Sequence, residues 1–353
     1  MESIILGVIL HYIGGFSSGS FYIPYNKVKQ WSWESYWIMG GLFSWLFVPI
    51  LAAYLTVPHF VGIILNADFN TVFWTYFFGV LWGIGGLTFG LTMRYLGLSL
   101  GMSIVLGLTL VFGSIIPPLY NDLFSKEGDT LSAMLTSHGG GLILSGVIFT
   151  LIGIGVCAKA GMIKEKEVSD EIKKESVKEF HISKGLIVAI ISGILSACFS
   201  YGIVAGKDLS VAALREGTNS LFQNNVTFIL IMLGGLTTNA IYCVILNIKN
   251  KSYKNYIDKT TPLLSNYLLV ALAGTLWYLQ FFFYGMGESR LHNDASSWIL
   301  HMSFIILTSC MWGIYFKEWK GASFKNKSIL FIGILIILVS VVLVGAGTYF
   351  IHH

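Results

Sequence analysis

Apolar positions run through this chain in long unbroken stretches, and ten of these approach the roughly 20 residues that a helix needs to cross a bilayer. They extend from Ser3 to Tyr25, Ser35 to Val57, Val72 to Met93, Gly101 to Tyr120, Gly139 to Ala158, Gly185 to Ala205, Val226 to Leu246, Leu268 to Gly287, Ser297 to Phe316 and Ile329 to Phe350. Gly, Pro or charged clusters separate them, and none, so bounded, holds Asp, Glu, Lys or Arg. The pattern predicts an all-α membrane protein with ten transmembrane helices.

The same pattern repeats itself. Gly79, Leu81, Trp82 and Gly90 recur as Gly274, Leu276, Trp277 and Gly285, 195 positions later. Gly7, Ile13, Gly15, Ser18, Phe21, Lys29 and Ser32 recur as Gly185, Ile191, Gly193, Ser196, Phe199, Lys207 and Ser210, 178 positions on. Ten spans in two copies give five each, and an odd number of crossings inverts the second copy in the membrane. The expected organisation is a first five-helix repeat over 1–160, a cytoplasmic linker over 161–184 and a second repeat over 185–353. Inverted repeats rocking about a shared site are a common basis of alternating access.

Composition agrees with the bilayer assignment: charged residues make up 11% of the chain, against about 25% in soluble domains. Their placement sets the expected orientation. Loops on one side of the ten-span pattern carry 18 of the 22 Lys and Arg residues, leaving Lys126, Lys207, Arg215 and Arg290 on the other. The positive-inside rule makes the first side cytoplasmic and puts both termini outside. The first span has no basic residue before it and no small-residue cleavage motif, so it is expected to be retained. The joint from Gly161 to Lys184 mixes six Lys with six acidic residues and reads as a solvated linker.

Candidate chemistry within the spans is limited to imidazole. His11 and His301 are the only titratable groups there with an ordinary pKa near neutrality, and intramembrane ionisable groups are costly enough to point to function. The alternative role for each is a hydrogen bond to a neighbouring helix. His11, Gly15, Ser18 and Tyr22 fall at i, i+4, i+7 and i+11, a small and polar stripe on an apolar helix. Trp298 and His301 share a face at i, i+3, as do Trp277 and Gln280, with Tyr284 one turn further. A sugar site calls for this mixture: aromatic rings cover C–H faces while amides and imidazoles meet hydroxyls. The four Cys stand singly in apolar spans and read as packing residues, and Gly139, Gly146 and Gly153 read as a close-approach face. No HExxH, P-loop or Ser/His/Asp arrangement is evident, so neither a metal, a cofactor nor a nucleic acid is expected.

Several strings resemble the L-rhamnose/proton symporter family, a branch of the drug/metabolite transporter superfamily. They are Phe21-Tyr22-Ile23-Pro24 running to Trp31-Ser32-Trp33-Glu34, Trp82-Gly83-Ile84-Gly85, Gly90 to Gly97, Trp277 to Tyr284, Ser297-Trp298 and Leu300 to Phe304. The resemblance implies a bacterial inner-membrane carrier importing L-rhamnose or a close 6-deoxy sugar with a proton. The substrate-binding candidates are His11, Ser18, Tyr22, Trp82, Trp277, Gln280, Trp298 and His301, and His11 and His301 are also the proton-coupling candidates. A relative moving another metabolite as uniporter or exporter, or a membrane-embedded enzyme, are the competing readings.

Overall fold

The computed structural model describes residues 2–124, 130–169, 180–291 and 294–352. Residues 170–179 of the expected linker and residues 292–293 of the loop before the ninth span lie outside the described residues. All regular structure among the described residues is helical. The elements are α1 (Glu2–Ser20), α2 (Tyr22–Asn26), α3 (Trp33–Leu42), a π-helical turn at Phe43–Phe47, α4 (Val48–Thr56), α5 (Phe60–Leu65), α6 (Phe69–Leu96), α7 (Leu98–Phe124), α8 (Leu131–Thr136) and α9 (His138–Glu167). There follow α10 (Ile182–Ser196), α11 (Cys198–Ala205), α12 (Lys207–Arg215), α13 (Asn225–Asn250), α14 (Leu263–Leu291), α15 (Asp294–Tyr315) and α16 (Phe324–His352), with short 3₁₀ turns at Ser220–Phe222 and Ser252–Tyr256.

Among the described residues, seven helical stretches are long and apolar enough to cross a membrane: Trp33–Thr56, Phe69–Leu96, His138–Lys164, Ile182–Arg215, Ser220–Asn250, Leu263–Leu291 and Ser297–Tyr315. The other three predicted spans fall on α1 with α2, on α7 and on α16. Side chains such as Leu55, Ile187 and Ile245 are more than half exposed, which lipid tolerates and water does not. The chain is a multi-pass membrane protein.

The helices outrun the hydropathy-drawn bounds, and this corrects one expectation. Glu34 stands in the first turn of α3, and Glu288 and Arg290 in the last turn of α14, so ionisable groups do occupy the helical stretches. Backbone hydrogen bonding, not hydropathy, ends a helix. A polar side chain in a terminal turn is tolerated when it is hydrogen-bonded or reaches the interface.

The chain divides into two compact units, each drawing on both halves of the sequence. The first comprises Met1–Gly86 and Cys198–Arg290, the second Leu87–Ala197 and Leu291–His353. Within the first unit, α13 packs along α3, the π turn and α4. Small residues set the crossings: a Cβ on Gly79 would collide with the backbone of Ile231, and one on Gly234 with the backbone from Tyr76 to Val80. A Cβ on Gly274 would likewise collide with the Gly40 carbonyl. Gly79 and Gly274 are the repeat counterparts noted above, and Gly40 and Gly234 stand 194 apart.

In the second unit α9 lies against α16 and α7 against α15. A Cβ on Gly347 would strike Gly139, and one on Gly153 would approach the Gly333 carbonyl to 2.9 Å, so two of the three glycines of the predicted close-approach face are used for that purpose. As the chain advances from Gly139 to Gly153, the contacts on α16 recede from Gly347 to Gly333. The two helices are therefore antiparallel. Thr150 Oγ1 donates to Ser340 Oγ between them at 2.9 Å. All four Cys are free and buried, as packing residues would be.

Candidate functional site in the first unit

The polar stripe on α1 faces protein. Ile5, Ile9, Tyr12 and Phe16 are exposed along one side, whereas His11, Gly15 and Ser18 are buried on the other. The helix is interrupted at Phe21, between α1 and α2, and its repeat counterpart is interrupted at Ala197, between α10 and α11. Both residues keep right-handed helical backbone, so each interruption is a local change of hydrogen bonding, the second falling two residues before the counterpart of Phe21.

Each break delivers a buried aromatic ring to the tryptophan of the opposite half. Phe21 meets Trp277 edge-on with ring centroids 4.2 Å apart. Its counterpart Phe199 lies 5.2 Å from Trp82. Phe281 adds to the second group, 4.2 Å from Phe199 and 5.6 Å from Trp82. Trp37 closes the first group, 6.4 Å from Trp277. Its Nε1 donates to Asn239 Oδ1 at 2.9 Å, and Asn239 Nδ2 donates to the carbonyls of Gly83 at 3.0 Å and Gly235 at 2.8 Å. One amide thus joins α3, α6 and α13 behind the aromatic rings. The amide did not stand out in the sequence, since a lone Asn in an apolar helix carries no spacing signal; Phe199 did, as the repeat counterpart of Phe21.

One face of α14 runs through this region. Trp277, Gln280, Tyr284 and Gly287 succeed one another at helical spacing, all buried. At the far end His11 is fully buried; its ring centre is 5.5 Å from that of Tyr284. The imidazole occupies the space that a side chain on Gly287 would need, 2.7 Å from a Cβ built there to Nε2. The structure therefore brings His11, Trp277, Gln280 and Tyr284 onto one stripe. Ser18 is buried on α1, and Tyr22 is half-buried with its ring 5.6 Å from Phe21.

Beside Gly287 lies a carboxylate. Glu288 is half-buried and accepts from Asn224 Nδ2, and Asn224 Oδ1 accepts from Ser210 Oγ at 2.8 Å. Ser210 in turn meets the Thr227 hydroxyl at 3.0 Å. A second carboxylate, Glu34, is buried and accepts from Ser252 Oγ at 2.6 Å and Asn250 Nδ2 at 3.0 Å. These partners hold the start of α3 to the end of α13. Charge-assisted bonds of this kind are what make a carboxylate tolerable inside a protein.

The two remaining candidates belong to the second unit. Trp298 is buried on α15 with its ring against Gly113, and Nε1 donates to the Thr109 carbonyl at 3.4 Å. His301 is buried one turn on. His11 and His301 thus stand in different units.

Residues 1–349 match the family described as L-rhamnose-proton symport protein (RhaT). The chain belongs to this family. It is 40% identical over 351 residues to the L-rhamnose-proton symporter of Yersinia pestis (strain Pestoides F) and 39% identical to that of Salmonella paratyphi A, with 98% of each chain covered in both comparisons. The symporter family consists of transporters, not enzymes, which agrees with the lack of a catalytic motif in the sequence. Its match runs through both units, so both sets of candidate residues lie inside the family's frame.

Proposed function

We propose that this protein imports L-rhamnose together with a proton across the bacterial inner membrane by alternating access. The observation that carries the reading is the full-length relationship to proteins named L-rhamnose-proton symporter. The site in the first unit supports it. Trp277 and Trp82 offer ring faces for the C–H side of a sugar, Gln280 an amide for its hydroxyls, and His11, Ser18 and Tyr22 further polar contacts on the facing stripe. In the second unit, Trp298 and His301 supply a second aromatic and imidazole pair. His11 and His301 are the proton-coupling groups, since imidazole exchanges protons near neutral pH.

The ten-helix architecture belongs to the same proposal: two inverted five-helix repeats, 1–160 and 185–353, joined by a cytoplasmic linker, with both termini external. Three observations support it. The helix interruptions at Phe21 and Ala197 fall within two residues of matching places; the Phe21–Trp277 and Phe199–Trp82 contacts exchange partners between the halves; and a shift of 194 positions turns the Gly139–Gly347 contact into the Gly333–Gly153 contact. A two-fold axis in the membrane plane produces all three.

Radiolabelled sugar separates transport from the competing readings. Vesicles containing the protein are expected to accumulate L-rhamnose against its gradient when the interior is alkaline, and to lose the accumulation when a protonophore collapses the pH difference. Uptake that only equilibrates would indicate a uniporter, and no uptake would remove the transport reading.

A further inference from the structure

The duplication that aligns Trp82 with Trp277 also aligns Gly86 with Phe281, again 195 positions apart. Phe281 is buried and fills its side of the aromatic group, in contact with Phe199 and Trp82. At Gly86 the corresponding volume is missing. The residue is buried, yet a Cβ built on it meets no atom within 4 Å. Gly62, Gly141, Gly155 and Gly217 also have open space at Cβ, but none of them is buried. Gly86 is thus buried and still has open space at its Cβ.

The chemistry of that space follows from the helix face. The positions one and two turns before Gly86 on α6, in the same unit, are Gly79, Trp82 and Gly83. None carries a hydroxyl, amide or charge. A sugar hydroxyl placed there would lose its water without gaining a partner from this face, whereas a carbon would lose nothing. The part of a 6-deoxy sugar that suits it is the methyl group.

We infer that Gly86 is a specificity-determining position: the space left where its repeat counterpart carries Phe281 receives the methyl carbon of the sugar. This rests on the proposed sugar site at Trp82, Trp277 and Gln280. A glycine costs a helix stability relative to alanine, so keeping one here serves the empty volume rather than the fold.

The test uses the purified full-length protein and titrates L-rhamnose and L-lyxose, the same ring without the methyl carbon, into wild type, Gly86→Ala, Gly86→Val and Gln280→Ala. Gly86→Ala is expected to melt at or above the wild-type temperature, because its methyl enters open space. L-rhamnose affinity is expected to fall a few-fold in Gly86→Ala and about tenfold or more in Gly86→Val, while L-lyxose affinity changes less than threefold. If valine disturbs the helix, the alanine variant alone decides, by its selective loss of L-rhamnose. Unchanged L-rhamnose affinity in the Gly86 variants alongside weakened binding in Gln280→Ala overturns the inference and leaves the site intact. Equal losses for both sugars overturn the placement of the methyl. Unchanged binding in Gln280→Ala as well counts against the site itself.

Discussion

Gln280→Ala is expected to weaken L-rhamnose binding by about two- to tenfold, because one neutral hydrogen bond contributes roughly 0.5–1.5 kcal/mol and about 1.4 kcal/mol is a factor of ten. Trp277→Ala is expected to do more. Truncating a buried aromatic anchor at the centre of a site typically costs about 2 kcal/mol or more, on the order of thirtyfold in affinity. The ring also packs on Phe21 and within reach of Trp37, so the alanine variant leaves a cavity as well as an unstacked sugar. Trp277→Phe separates the two effects: it keeps an aromatic face and is expected to retain most of the affinity. Isothermal titration of the purified variants measures this, with thermal melting as the check on folding. If Gln280→Ala and Trp277→Ala both bind as wild type does, the sugar binds elsewhere.

The largest expected effect is on coupling. A symporter needs a group that takes a proton from one side and releases it on the other, and the sugar must alter that group's proton affinity between the two states. His11→Gln keeps a side chain of similar size that hydrogen-bonds but does not titrate. It is expected to leave exchange of labelled sugar for unlabelled sugar running while abolishing sugar-driven proton uptake. His301→Gln tests the second unit in the same way. Glu288 is the competing carrier, because it adjoins the Gly287 position that His11 fills and is held by Asn224. Full coupling in both His variants, with its loss in Glu288→Gln, would transfer the role to the carboxylate and make the imidazoles structural.

Much of this arrangement was legible in the sequence, and the exceptions have physical causes. Apolar run length located the helices, since a bilayer demands about 20 residues of them. Their ends were misjudged: Glu288 and Arg290 continue α14 past the predicted span end at Gly287, and hydropathy is blind to backbone bonds. The interruption after Ser20 had a signal in Pro24, which has no N–H to donate to the Ser20 carbonyl four residues back. The stripe from His11 to Tyr22 was readable because helical spacing is local. That Asn239 would bond Trp37 and Gly83 was not, because those partners are about 200 and 156 residues away and no local pattern encodes a distant partner. The repeat partly bridges that gap. Once Trp82 and Trp277 are recognised as counterparts, the Phe199 contact follows from the Phe21 contact.

The measurement that bears most directly on the central claim is the external pH of de-energised cells expressing the protein when L-rhamnose is added. Sugar entering down its gradient with a proton is expected to make the medium more alkaline, with the change abolished by a protonophore and absent from cells lacking the protein. Entry of radiolabelled L-rhamnose with no change in external pH would contradict proton symport.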